Sequence, residues 1–292
     1  MEQNLSNIVR PIRVVAQEAI NYIEGRRSHS VTSLKTRWVK FNKQCMGGIE
    51  PNTVYTIAGI SGTGKSSFVN TMTTDLIDLN PSDDIIILNF SLEMVGFRQI
   101  GRTLSNKLRK TTSTLYSSET DLDDDTFRKV IAVSNQLKEY PIYFVEKPCT
   151  PMQIEEIINS FYNQYVKGTG KHFIVTLDHT LLTKPIGSQL DTISELERVL
   201  IQTKKLPLTS VIQIAQMNRN IESSERINNP LGHYPMRSDL SSSDAMFQAS
   251  DYVMVLQRPE ILNIQEYGPN RLPTQNKIYM HMLKNRDAGK PC

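Results

Sequence analysis

Gly59, Gly62, Gly64, Lys65 and Ser66 fall in one short run, Gly59-Ile60-Ser61-Gly62-Thr63-Gly64-Lys65-Ser66, that matches G-x-x-x-x-G-K-[ST]. Glycine is needed in such a loop because consecutive backbone N–H groups must curl around phosphate oxygens at angles that side chains block. Lys65 then reaches the β- and γ-phosphates, and the Ser66 hydroxyl ligates Mg²⁺. Ser61, Thr63 and Ser67 complete the expected nucleotide contacts. A helix that opens at the loop turns its positive end toward the same anion. The competing reading is an accidental glycine-rich turn. A strand before the loop and an amphipathic helix after it argue against that. The chain is expected to bind and hydrolyse a nucleoside triphosphate, ATP or another, with Mg²⁺.

Hydrolysis needs further groups at the same place. An apolar run from Phe173 to Leu177 ends in Asp178, a carboxylate positioned to hold the hydration shell of Mg²⁺. Taken alone, an Asp there is also a common turn residue. Glu93, in Phe90-Ser91-Leu92-Glu93-Met94, is placed to accept a proton from the attacking water. On chemistry alone that reading and a solvated glutamate in a helix first turn stand level. Gln216 ends another strand, where an amide would bond the γ-phosphate and report its loss; spacing does not separate this from an ordinary polar strand end. Lys284 and Arg286 follow the last apolar strand. Such residues are usually solvated. The sharper reading makes them an arginine finger that completes a neighbouring subunit's site.

The elements that must position these groups alternate from Val54 onward. Thr53–Ala58 reads as a strand, and Phe68, Met72, Leu76 and Leu79 mark one face of the next helix. Asp84–Phe90 reads as a strand buried on both faces. A helix after Glu93 follows, then one carrying Phe127, Val130, Ile131, Ser134 and Leu137, and a short strand at Ile142–Val145. Thr150-Pro151-Met152-Gln153 signals a capped helix start. Strands at His172–Leu177 and Ser210–Ala215 bracket a helix at Ile193–Thr203, and Tyr252–Gln257 and Ile278–Leu283 read as the last two strands. Repeated βα units predict an α/β fold, a mainly parallel sheet with helices on both faces. Residues 218–250 lack periodicity and read as a long functional or mobile loop. Val14, Val15, Ala19, Ile20 and Ile23 predict a helix over 11–25 that packs on its own domain or docks on another subunit. The expected division is a linker helix and polar linker at 1–30 and one ATPase domain at 31–292.

With 292 residues, 39% hydrophobic and 22% charged, the chain has enough apolar material for a buried core, which argues against wholesale disorder. A net charge of +3 is too small to prove a nucleic-acid partner. Cys45, Cys149 and Cys292 form neither a metal pattern nor a disulfide framework, which suits a reducing cytosol. No apolar run approaches the ~20 residues of a membrane helix, and no signal core opens the chain. A soluble, cytoplasmic protein is expected.

Together the motifs resemble the DnaB family of replicative helicases, in its RecA-like C-terminal ATPase domain. The most specific piece is Phe-Ser-Leu-Glu-Met at 90–94, whose Glu is that family's catalytic carboxylate. The loop at 59–66, the strand ending in Asp178 and Gln216-Met217-Asn218-Arg219 stand around it in the family's order. Ser238-Asp239-Leu240 and Gln248-Ala249-Ser250-Asp251 resemble the segment before the next strand, and Lys284-Asn285-Arg286 matches the Lys-x-Arg finger. Gly47-Gly48-Ile49-Glu50-Pro51 resembles the lead into the first strand. The resemblance implies a hexameric ring with ATP at each interface and single-stranded DNA through the centre. It also implies a linker helix at 11–25 docked on the next subunit, and primase or loader proteins as further partners. DNA loops are implied around Leu182–Gln189 and Ile221–Arg237, with Arg226, His233 and Arg237 as positive charge and Arg226 and Arg237 as the DNA-contact candidates.

Three departures stand out. No helical collar precedes the linker helix, Asp178 is followed by His179 where an aromatic is common, and the chain stops at Cys292 soon after the finger. The small size and missing collar suit a viral or mobile-element helicase, and the expected location is the cytoplasm, of a bacterium or of a phage's host. Two rivals remain: a recombinase-like ATPase that coats DNA as a filament, and a nucleotide-regulated assembly module with little turnover.

Overall fold

The βα alternation is present in a computed structural model, which describes residues 9–119, 121–240 and 243–287. Helices α1 (Ile12–Arg27) and α2 (Val39–Gln44) precede β1 (Thr53–Gly59) and α3 (Lys65–Asp78). Strand β2 (Ile85–Ser91) leads to α4 (Gly96–Leu108), α5 (Thr112–Tyr116) and α6 (Asp124–Lys138). Then come β3 (Ile142–Val145), α7 (Pro151–Tyr165), β4 (His172–Asp178), α8 (Gln189–Thr203) and β5 (Thr209–Gln216). After α9 (Ser224–Asn228) and α10 (Ser243–Ala249) follow β6 (Tyr252–Gln257), the hairpin of β7 (Glu266–Tyr267) and β8 (Leu272–Pro273), and β9 (Tyr279–Asn285).

The main sheet has the order β3-β2-β4-β5-β1-β6-β9. Only the β6–β9 pair in it is antiparallel. Side chains of the five inner strands alternate between two covered faces, which is why those strands are largely apolar. Tyr55, Ile57, Ile87, Ile174 and Ile212 pack with Met72 and Leu76 of α3. Val54, Ile86, Leu88, Phe173 and Val211 pack with Ile154 and Ile158 of α7 and Leu196 and Val199 of α8. Each such side chain contributes ~1.5–3 kcal/mol on burial, so these layers hold the strand ends rigid. The register sets Gly59 beside Gln216 and Ser91 beside Asp178. Parallel strands thus deliver four functional segments to one edge, the edge where open α/β sheets take ligands.

Several expectations change. Helix α1 has no buried residue, and Ile12, Ile20 and Ile23 are exposed, so of its two readings it does not pack on its own domain. Its last turn is tied down by Arg26, paired with Glu50 at 3.0 Å. In α6 the predicted core face is open: only Thr126 is buried, and Phe127 and Ile131 are exposed. The helix lies against α4, and the neighbouring edge strand β3 is too short to cover it. Residues 218–240 are not a free loop. Turns at Arg219–Glu222, Pro230–Gly232 and Arg237–Asp239, with α9 between them, are organised by polar caps and a buried ion pair, which hydrophobic periodicity cannot register. Strand β9 runs through Asn285, so Lys284 lies inside it and not after it. Cys45 and Cys149 are buried thiols; Cys292 lies outside the described residues.

Candidate active site

The loop after β1 turns back over the strand's own end. Gly62 and Gly64 have φ of 81° and 92°, where a side chain is strained. At Gly59 the limit is space, since a Cβ would lie 2.6 Å from Thr63 Oγ1 and 2.7 Å from the Leu256 carbonyl oxygen. Thr63 Oγ1 and Lys65 Nζ both donate to the Ile60 carbonyl, at 2.9 and 2.8 Å. Lys65 is 7% exposed. Burial lowers its pKa, and the carboxylates of Asp178 and Glu93 work against that shift. Its ammonium is therefore held on the loop by a neutral carbonyl, a partner that a phosphate would outcompete.

Asp178 ends β4, and its carbonyl accepts the Leu92 N–H at 2.8 Å. This pairing brings Glu93 to the edge occupied by the loop. Burial pushes the Asp178 pKa up, while the hydroxyl bond from Ser66 and the nearby His179 and Lys65 pull it down. Its Oδ1 is buried without a hydrogen-bond partner. A buried orphan carboxylate oxygen beside a serine hydroxyl fits a hard divalent cation such as Mg²⁺. Among the described residues no three His, Cys, Asp or Glu side chains converge into a metal cage. The cation would therefore draw most of its ligands from phosphate and water.

The backbone around Glu93 is fixed by a buried relay that no motif shows. Thr176 Oγ1 donates to Asn89 Oδ1, Asn89 Nδ2 to Gln99 Oε1, and Gln99 Nε2 to Ser91 Oγ, each at 2.8 Å. Ser91 in turn donates to the Met94 carbonyl, closing the turn that carries Glu93. A cavity of about 650 Å³ over the loop is lined by Ser61, Gly62, Gly64, Lys65, Ser66 and Ser67, with Glu93 and Gln216 on its wall. Asp178 is reached through Ser66.

A family model described as the DnaB-like helicase C-terminal domain matches residues 33–290. The chain belongs to that family. It is 27% identical over 258 residues to the replicative DNA helicase DnaB of Buchnera aphidicola subsp. Schizaphis graminum, covering 86% of this chain and 52% of that one. It is 24% identical over 267 residues to DnaB of Haemophilus influenzae, covering 89% and 53%. The chain thus spans about half the length of these curated relatives. Among solved structures, one described as an ATPase domain superposes with a TM-score of 0.76 at 19% identity, covering 94% of this chain and 92% of that one. A DnaB-like replicative helicase described with its interactions with primase gives the same TM-score and identity, covering 94% and 62%. The fold is that of the RecA-like ATPase domains.

Other expected DnaB-like residues stand apart from the loop. Lys284 pairs with Val253 across the β6–β9 ladder, and the Arg286 N–H bonds the Asp251 carbonyl, while the Asp251 N–H bonds the Val54 carbonyl. Arg286 thus lies level with Val54, five residues and about 17 Å from Gly59 along the strand. Lys284 lies level with Thr56, three residues and about 10 Å along and two strands aside. Both separations are further than either side chain reaches. Arg286 Nη1 is paired with Asp251 at 2.7 Å, and Lys284 Nζ donates to the Phe247 carbonyl at 2.6 Å. Within one chain they do not meet the phosphate site.

Arg226, expected to contact DNA, is instead structural. Its side chain is 14% exposed, forks onto Asp239 and also donates to the carbonyls of Gly232 and Tyr234. His233 is buried likewise, bonded to Ile227 and accepting the Gly268 N–H at Nδ1. Arg237 stays at the surface, over the Phe247 ring and paired with exposed Asp244.

Two cations absent from the sequence reading line the phosphate cavity. Arg102 of α4 has no ion-pair partner among the described residues, and Arg258 after β6 pairs with Glu260. Their spacing from the loop carries no signal, because tertiary packing alone brings them there. Beyond the loop lies an apolar cavity of about 830 Å³ lined by Trp38, Phe68, Ile278 and Met280. Trp38 and Phe68 stack at 4.1 Å. This cavity shares Gly64, Ser67 and Thr71 with the phosphate cavity.

Proposed function

We propose that this chain is the ATP-hydrolysing motor of a ring-forming DnaB-like helicase that moves along single-stranded DNA. The observation that carries the reading is the separation of the finger from its own phosphate site: Lys284 and Arg286 lie at the sheet edge opposite to Lys65, Glu93 and Gln216. A site missing its cationic finger is completed by the next subunit. The loop amides and Lys65 hold the phosphates, with Arg102 and Arg258 nearby, and the base lies in the cavity beside Trp38. Mg²⁺, when bound, neutralises phosphate charge. Ser66 and Asp178 hold it, Glu93 takes the proton of the attacking water, and Gln216 bonds the γ-phosphate. Residues 182–189, largely exposed, and the surface around Arg237 follow the strands ending in Asp178 and Gln216, so a change at the phosphate moves the DNA contacts. The exposed face of α1, in the linker at 1–30, docks on the neighbouring subunit.

The test is ATP turnover at low salt with and without single-stranded DNA. DNA stimulates the parent chain. Lys65→Ala and Glu93→Gln lower kcat by roughly 10²–10⁴-fold, and Arg237→Ala keeps basal turnover but loses stimulation. A chain that neither binds DNA nor responds to it sinks the motor reading, and an open helical assembly in electron micrographs replaces the ring with a filament.

A further inference from the structure

We infer that His179 is a positioning residue for Glu93, holding the carboxylate in line for the attacking water. The inference rests on the reading of Glu93 as the proton acceptor. Glu93 has its backbone locked by the relay through Ser91, yet its side chain is half-exposed. Among the described residues it has one polar contact, His179 Nε2 at 3.9 Å from Oε2. His179 is the rigid half of that pair, 8% exposed and directly after Asp178.

The other ring nitrogen says which way the proton faces. Nδ1 is buried and has no hydrogen-bond partner. An orphaned buried N–H is far rarer than a buried lone pair without a donor. The proton therefore sits on Nε2, aimed at Glu93. At 3.9 Å the two are just beyond hydrogen-bond range, and rotation of the half-exposed glutamate closes the gap. Such contacts commonly tighten only when substrate is in place. The bond fixes one rotamer of Glu93 and leaves its second oxygen for water. His179 touches no reacting atom in this arrangement; it acts through Glu93.

The experiment compares His179→Phe, which keeps the ring and removes the donor, with His179→Gln, which returns an N–H close to the place of Nε2. Single-turnover hydrolysis is measured on the assembled protein with DNA. Affinity for a non-hydrolysable ATP analogue is measured beside it. His179→Phe lowers the rate roughly 10- to 100-fold, the scale of a misplaced reacting group, with analogue affinity unchanged. His179→Gln recovers most of the loss. In the Glu93→Gln background, His179→Phe costs little more, because the two act as one unit. If both His179 variants keep the parent rate while Glu93→Gln loses it, the positioning role is wrong and the Glu93 reading stands. A His179→Phe loss that adds in full to that of Glu93→Gln, or that His179→Gln does not relieve, also overturns it. A full rate in Glu93→Gln overturns both readings.

Discussion

The two edges of the sheet treat charge in opposite ways. At the phosphate edge, Asp178 Oδ1 and His179 Nδ1 are buried without partners, Lys65 is held only by a carbonyl, and Arg102 has no counter-ion among the described residues. At the far edge Asp251 is saturated. Its carboxylate accepts the Val54 N–H at 2.8 Å, Lys204 at 2.6 Å and Arg286 at 2.7 Å. Both edges end the same strands and use the same residue types. One is left unsatisfied for a ligand to complete, and the other is closed by its own chain. A closed network holds a finger at a fixed angle; an open one holds a place for what the finger meets.

The comparison breaks most sharply at Arg286. If the far edge serves a neighbour's phosphate edge, Arg286→Ala loses on the order of 10³-fold in DNA-stimulated kcat, although it alters nothing near its own Lys65. Mixing Arg286→Ala with Lys65→Ala chains then restores part of the activity, since some interfaces pair an intact loop with an intact finger. Turnover that survives Arg286→Ala, or mixtures that stay silent, would leave the far edge a structural clasp only. The same arrangement makes an isolated monomer a poor ATPase, which dilution below the assembly concentration checks.

A smaller effect tests the closure itself. Asp251→Ala strands the ammonium of Lys204, 15% exposed, and leaves the Val54 N–H without its acceptor. Removing one member of a buried ion pair costs about 3 kcal/mol, which lowers Tm by on the order of 8 °C in a domain of this size. Thermal unfolding of the assembled protein measures it. A shift near zero would show that the far edge is held by packing, and that Arg286 is free to turn.

The phosphate edge was far more legible in the sequence than the far edge, for a physical reason. Gly59–Ser66, Glu93, Asp178 and Gln216 each end or directly follow a strand, so local order along the chain already implies their place, and apolar runs announce the strands. Family membership agrees with the resemblance those motifs carry. Arg102, Arg258 and the relay from Thr176 through Asn89 and Gln99 depend on contacts between distant segments. Arg226 shows the same limit from the other side. A loop arginine reads as solvent-facing until Asp239, thirteen residues away, closes on it. The apolar stripe of α6 has core composition, but the described residues leave Phe127 and Ile131 exposed.

The smallest effect follows from what the open edge costs when no ligand is present. Burial raises the Asp178 pKa from an ordinary 3.8, and the charge of Glu93 adds to the shift. The folded chain therefore holds that proton more tightly than the unfolded chain does. Its contribution is fully present below pH 3.8 and is lost as pH rises through the higher folded value. At neutral pH, without Mg²⁺ or nucleotide, ionised Asp178 is a burden on the fold. Asp178→Asn removes the charge and keeps the shape, so Tm in a chelating buffer rises by on the order of 2 °C. The gain shrinks as pH falls through the raised folded value, where the parent carboxyl takes up its proton, and is gone below 3.8. Turnover falls at the same time, the trade expected where a site is held short of its own stability optimum. A gain that is independent of pH would trace to packing and not to charge, and a loss of Tm would mean that the phosphate edge is as closed as the far one.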